Sequence, residues 1–264
     1  MKGHRDVGCE LSDSAFPAFG RLILVSLQMF EINSPLLNIP ATLIKRQAIF
    51  LDGLRQHAQI AIYAYTRLCK SLSDLSFAHS TNVEISQDFT HIFLDAWACI
   101  EAVDRFRSLW QLQPASDTIP GDFSPKVING KLQSIRNLRN VASHIAEKID
   151  QIASLNSPVS GLIRWITMHS KSPTVIRTYF IRPGIIHGQL SAQFVAPSGK
   201  ILFTHDVGSI VLNAGSHEGN LSDAYSIVCS IVNFMEQYLA SQFIGPAFEP
   251  RLPANIFGSV QLNV

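Results

Sequence analysis

The seventeen residues SIRNLRNVASHIAEKID, Ser134 to Asp150, put two arginines, two asparagines, two serines and a histidine on one short stretch. A guanidinium presents a planar fork of donors that matches phosphate oxygens. An imidazole, with a reference pKa of about 6.5, takes up or gives away a proton near neutrality. Neither action needs a metal. At about 100° per residue, Arg136, Asn140, Ser143, His144 and Glu147 lie opposite an apolar stripe that runs from Leu132 to Ile152, and Arg139 lies at its border. Arg136 and Asn140 are one turn apart, as are Asn140 and His144, a spacing that lets side chains meet. The face is therefore either an ordinary solvated helix surface or a metal-free site for handling RNA phosphates.

Two other polar groups bear on that choice. Glu101 and Arg105 stand one turn apart on the preceding helix, opposite its apolar stripe, at the spacing of an ordinary ion pair. His205-Asp206 and His217-Glu218 are metal-ligating types, but no third ligand follows at close spacing, so they read as turn residues and no metal is expected. The chain has no glycine-rich phosphate loop, no G-x-S-x-G elbow and no H-E-x-x-H pair. P-loop nucleotide hydrolysis and serine hydrolysis are accordingly disfavoured.

The elements that must position these residues are readable from periodicity. Arg21 to Phe30, RLILVSLQMF, has the length and apolar density of a buried strand, and Pro35 and Pro40 punctuate the loop after it. From about Leu43 to Leu75, Ile44, Ala48, Leu51, Leu54, Ala58, Ile62, Tyr65, Cys69 and Leu72 step by three and four, as one face of a long helix does. A second helix is predicted over roughly Asp88 to Leu112, with Ile92, Ala96, Ile100, Val103, Phe106 and Trp110 inward. Trp97 and Trp110 read as core rather than as platforms for stacking bases. Ser124-Pro125 places a capping residue before a proline at the first helical position. One continuous helix is predicted from there to about Ala153, with the stripe Leu132, Ile135, Leu138, Ala142, Ile145, Ile149 and Ile152 inward.

Beyond Asn156-Ser157-Pro158 the texture changes to short runs rich in β-branched and aromatic residues, TVIRTYFIRP, GQLSAQFVAP, KILFTHDV and SIVLNAG, bounded by Gly, Pro and Ser. They predict an antiparallel meander, with Pro197-Ser198-Gly199 as a hairpin turn. GLIRWITMHS fits either helix or strand. Ser222-Asp223 opens a last helix that buries Ala224, Ile227, Val228, Ile231, Phe234, Met235, Tyr238 and Leu239, and the tail ends in a candidate strand, IFGSVQLNV. The class is α+β: 1–42 an N-terminal strand and loop packing on the rest, 43–156 a helical region, and 157–264 an antiparallel sheet with a further C-terminal helix.

With 264 residues, 47% of them hydrophobic, the chain can bury a sizeable core. Twenty-one basic against twenty acidic side chains leave a net charge of +1. No global field draws such a protein to nucleic acid or to an anionic membrane, so any nucleic-acid site is local. Cys9, Cys69, Cys99 and Cys229 form no C-x-x-C pair, a pattern that suits reduced core thiols in a reducing cytosol. The opening MKGHRDVGCELSDS carries no apolar run after its first charges, and Leu22 to Leu27 is too short to span a bilayer. A soluble cytoplasmic protein without membrane partners is expected.

The R-x-x-x-x-H spacing, on a helix that follows another amphipathic helix, resembles the HEPN superfamily (higher eukaryotes and prokaryotes nucleotide-binding domain). The matching residues are Arg139, Asn140 and His144 within RNVASH, with FLDAWACIEAVDRFR (Phe93 to Arg107) upstream and IRNLRNVASHIAEKI (Ile135 to Ile149) around the motif. The resemblance covers roughly Asp88 to Ile152, extends at most over the long helix before it, and leaves the sheet region outside. The bare spacing also occurs at Arg164 to His169 and Arg182 to His187, but only Arg139-Asn140 joins helical context to a polar second residue.

The resemblance implies a helical HEPN-like bundle and a metal-independent endoribonuclease without cofactor. RNA supplies its own nucleophile, the 2′-hydroxyl, so the enzyme has to position the phosphate, stabilise its developing charge and move protons. In such a centre Arg139 binds phosphate, His144 is general acid or base, and Asn140 orients the phosphate or the imidazole. Arg136, Arg105 and Ser143 are the further candidate contacts to phosphate or RNA. Similar proteins place an acidic residue on the second helix near the motif; Glu101 is the candidate, with Asp95 and Asp104 as unranked rivals. The resemblance also implies a homodimer with a composite cleft, products ending in 2′,3′-cyclic phosphate and 5′-hydroxyl, and a toxin or defence role with an antitoxin or other protein partner. The alternative is a non-catalytic HEPN-like dimeric module that binds RNA, nucleotide or protein.

Overall fold

A computed structural model describes residues 30, 34–113, 119–155, 157–171, 174–184, 201 and 203–242. Residues 21–29 of the predicted first strand, the GQLSAQFVAP run, the Pro197-Ser198-Gly199 turn and the C-terminal candidate strand lie outside them. Among the described residues the fold is α+β, with α1 (Lys45–Ser80), α2 (Thr90–Trp110), α3 (Pro125–Lys131), α4 (Gln133–Ser143) and α5 (Ile145–Ser154). An antiparallel sheet follows, with β1 (Leu162–Lys171), β2 (Thr174–Ile181), β3 (Phe203–Thr204), β4 (Val207–Ala214) and β5 (His217–Asn220), and α6 (Leu221–Gln242) comes last.

The two long helices follow their apolar periodicity closely. Every inward position predicted on α1 is buried except Ile44, which precedes the first turn and stays exposed. On α2 all six predicted positions are buried, and Trp110 is tied down by its indole N–H, which donates to the Phe123 carbonyl at 2.8 Å. Trp97 is half-buried against the core and donates to the Ser160 carbonyl at 3.1 Å. Side by side, α1 and α2 form the widest helix contact of the fold, and α4 packs against the flank of α2.

The predicted third helix is three helices. Ser124-Pro125 starts α3 as expected, but the backbone leaves helical geometry at Leu132 (φ −102°, ψ 10°) and again at His144 (φ −124°, ψ 31°). The buried positions explain the second break. Leu132, Ile135, Leu138 and Val141 are buried at steps of three, and each such step turns the buried face by about 60° on a helix of 3.6 residues per turn. The apolar stripe rotates away from the core, and the chain restarts as α5, which buries Ile152. Val141 takes the inward place predicted for Ala142, and Ile149, predicted inward, is 46% exposed.

In the sheet, β4 pairs with β1 along one edge and with β3 and β5 along the other, and β1 pairs on its far side with β2. The ambiguous run GLIRWITMHS is therefore strand, with Ile163 and Trp165 fully inward. His205 and Asp206 form the β3–β4 turn, both with positive φ (51° and 61°), the backbone of a tight hairpin. On α6, Ala224, Val228, Ile231 and Leu239 are buried as predicted, while Ile227, Phe234, Met235 and Tyr238 are half-buried against the core.

One hydrophobic core joins helices and sheet. Tyr65 of α1 donates to the Ser222 hydroxyl at 2.9 Å, which also accepts the Ile210 amide at 2.9 Å, so α1, β4 and α6 meet at one side chain. Trp165 of β1 donates to Ser76 of α1 at 2.9 Å. The helix that carries Arg139 rests on β5, where a Cβ on Gly219 would lie 2.6 Å from Leu138 Cδ1. Glycine is what lets α4 approach the sheet this closely.

Candidate functional site

Packing of α4 beside α2 brings Arg139 to Glu101. The Arg139 Nε–H donates to Glu101 Oε2 at 3.4 Å, and Arg105, one turn along α2, donates from Nε to Oε1 at 2.7 Å. One carboxylate thus holds two guanidiniums from two helices. The cluster is open to solvent: the side chains are 61% (Arg105), 40% (Arg139) and 39% (Glu101) exposed. Both arginines engage through Nε alone, and their terminal nitrogens have no protein partner among the described residues. The hydrogen bond from Arg105, with the nearby charge of both guanidiniums, holds the Glu101 carboxyl below its ordinary range. It is a fixed anion near neutrality.

The fold separates Glu101 from its rivals. Asp95 faces the other flank of α2, where Arg67 of α1 reaches it at 3.1 Å. Burial pushes the Asp95 carboxyl up, partly offset by Arg67 and His91. Asp104 is also buried and is paired with Arg107 at 2.8 Å. Arg107 donates besides to Asn129 (2.6 Å) and to Ser108 (3.2 Å), so this cluster ties α3 to α2. Of the three acids, only Glu101 touches the RNVASH helix among the described contacts.

The remaining residues of the motif do not close up as helical spacing predicts. His144 lies at the break between α4 and α5, and its amide bonds the Val141 carbonyl (3.2 Å) instead of continuing the helical ladder to Asn140. Its ring is half-exposed and pairs through Nδ1 with Glu147 at 3.1 Å. Asn140 is half-buried and its side chain makes no hydrogen bond among the described residues. Ser143 donates to the Arg139 carbonyl at 3.1 Å, and Arg136 is exposed without an ion pair among the described residues. No hydrogen bond or ion pair joins Arg139 to His144.

The other Arg-to-His spacings are not helical. Arg164 lies in β1 and pairs with Glu218 of β5, which also accepts from Asn213 at 2.7 Å. Arg182 follows β2 and lines a cleft of about 360 Å³ at the start of α2, together with Asp88, Phe93, Ser160, Pro183 and Gly184. None of the motif residues lines that cleft. The Arg67–Asp95 and Arg107–Asn129 contacts are not visible in helical periodicity, because each joins two different helices.

No group of three or more His, Cys, Asp or Glu side chains gathers in metal-binding geometry among the described residues. Burial raises the thiols of Cys69, Cys99 and Cys229 to about 12 each, so these are protonated core groups and not nucleophiles. No helix among the described residues is long and apolar enough to cross a membrane. No family model matches the chain, and neither the curated proteins nor the solved structures contain a match.

Proposed function

We propose that the α2–α4 face is the phosphate-binding centre of a metal-independent endoribonuclease of the HEPN type. The observation that carries this reading is the exposed Arg105–Glu101–Arg139 cluster, whose terminal guanidinium nitrogens have no protein partner among the described residues, with half-exposed His144 at the end of the same helix. Arg139 binds the scissile phosphate and stabilises the charge that develops on its oxygens. The 2′-oxygen forms the new P–O bond, the bond to the 5′-oxygen breaks, and the His144 imidazole accepts the first proton or supplies the second. A second copy of the chain would complete a composite cleft, with Arg136, Asn140 and Ser143 along its wall. Toxin or defence roles, and an antitoxin as partner, belong to the same proposal.

A second reading has one observation in its favour. His144 is paired with Glu147 and makes no hydrogen bond or ion pair with the Arg139 or Asn140 side chains, the arrangement of a module that binds RNA or protein without cleaving it. One experiment separates the two: RNA cleavage in EDTA by the wild type, His144→Ala and Arg139→Ala, each of verified fold. Cyclic-phosphate ends from the wild type, with His144→Ala slower by about 10²- to 10⁴-fold and Arg139→Ala also inactive, support the enzyme. Silence of all three on several RNAs, with RNA still bound, supports the module.

A further inference from the structure

We infer that Arg105 and Arg139 form a two-armed receptor for one RNA phosphodiester, bridging α2 and α4, and that Glu101 is its resting counter-ion and not a proton-transfer group. The inference rests on the proposed reading of this face as an RNA site. Its geometric basis is the convergence of two guanidiniums, at 2.7 and 3.4 Å, on the two oxygens of one carboxylate. Two cations that share a carboxylate lie within the span of a phosphate group, which offers the same acceptor chemistry with more oxygens. Each guanidinium keeps its two terminal nitrogens without a protein partner among the described residues, so a phosphate can dock before the carboxylate leaves.

The two arms are unequal. Arg105 is held tightly by the carboxylate of its own helix, whereas the Arg139 contact is long and crosses between helices. Exposed ion pairs are individually weak, so a phosphate that brings charge-assisted bonds to Arg139 displaces the carboxylate from that arm first. Glu101 then swings toward Arg105 or into solvent, and the cluster, which holds two cations against one carboxylate at rest, has its remaining positive charge met by the phosphodiester. Its place between two cations keeps Glu101 ionised, which suits a counter-ion and disqualifies it as an acid near neutral pH. The role differs from general catalysis in sign: removing the carboxylate charge strengthens ligand binding.

The probe is a short, fluorescently labelled, mixed-sequence RNA with every 2′-hydroxyl methylated, so that it binds without being cut. Anisotropy titrations at several salt concentrations compare wild type, Glu101→Gln, Arg105→Ala and Arg139→Ala. The expected result for Glu101→Gln is binding about two- to fivefold tighter, the scale of one exposed ion pair released. Each arginine variant is expected to bind more weakly and to lose at most about 0.7 from the slope of log Kd against log salt, the value for the one single-strand phosphate that the two arms share. Unchanged or weaker binding by Glu101→Gln overturns the receptor, even if the wild type cleaves unmethylated RNA. Tighter binding by Glu101→Gln without cleavage of any unmethylated RNA leaves the receptor standing and removes the ribonuclease reading. No RNA binding by any of the four removes both.

Discussion

Arg105 and Arg107 are two residues apart on one helix, and each pairs with an acid of that helix, yet they end in opposite environments. Arg107 is 5% exposed and meets Asp104 through Nε and one terminal nitrogen, which also reaches Ser108, while its other terminal nitrogen goes to Asn129. Arg105 is 61% exposed and, among the described residues, spends only Nε, on Glu101. A buried charge is tolerable only when its hydrogen bonds are satisfied, and the Arg107 cluster meets that demand while fastening α3 to α2. The Arg105–Arg139 cluster has no such demand, because water serves the open nitrogens. A saturated guanidinium is a fastener, and an unsaturated one in water is available to a ligand.

The comparison breaks most visibly at Arg107. Arg107→Ala leaves Asp104 buried without its partner, and the expected loss is about 3–5 kcal/mol of stability, read by urea denaturation. Arg105→Ala should lose less than about 1 kcal/mol; equal losses at the two positions would erase the distinction. Next in size is Gly219→Ala. Its new Cβ meets Leu138 at 2.6 Å, and overpacking of this kind costs about 1–3 kcal/mol. The atoms it meets are side-chain ends of Leu138 and Ile135 on α4, so RNA binding through Arg139 should weaken less than stability does, and Arg107→Ala should act on stability alone.

The smallest effects are the most discriminating, because the fold moves two acids of α2 in opposite directions from their ordinary pKa values. The folded pKa of Glu101 lies below its unfolded value, so its pairing contributes stability above the unfolded value that is lost as pH falls through the folded one. Glu101→Gln should therefore be slightly less stable than wild type near neutrality, by under about 1 kcal/mol, and the gap should close in acid. Burial raises the folded pKa of Asp95, so its charged form opposes folding above that pKa and the penalty fades as pH falls. Asp95→Asn should be slightly more stable than wild type near neutrality, with the advantage vanishing in acid. Thermal melts across the acid range check both signs.

What was legible in the sequence follows from the range of the forces involved. The inward faces of α1 and α2 are set by local periodicity, and Ala48 to Leu72 and Ile92 to Trp110 are buried where the spacing puts them. The His144 break was not legible, because it depends on which of Val141 and Ala142 meets the sheet. The assignment of GLIRWITMHS needed its partners in β2 and β4. The choice among Asp95, Glu101 and Asp104 was invisible for the same reason: the arginines that settle it come from α1, α4 and α2 itself. Polar residues on an amphipathic helix can be found from spacing alone, but their partners are fixed by packing.

The most direct measurement is RNA affinity of Arg105→Ala beside Arg107→Ala, each corrected for its folded fraction. Arg105→Ala is predicted to stay folded and bind RNA more weakly, while folded Arg107→Ala keeps wild-type affinity despite its lost stability. Wild-type affinity in Arg105→Ala, or weakened affinity in folded Arg107→Ala, would contradict the account.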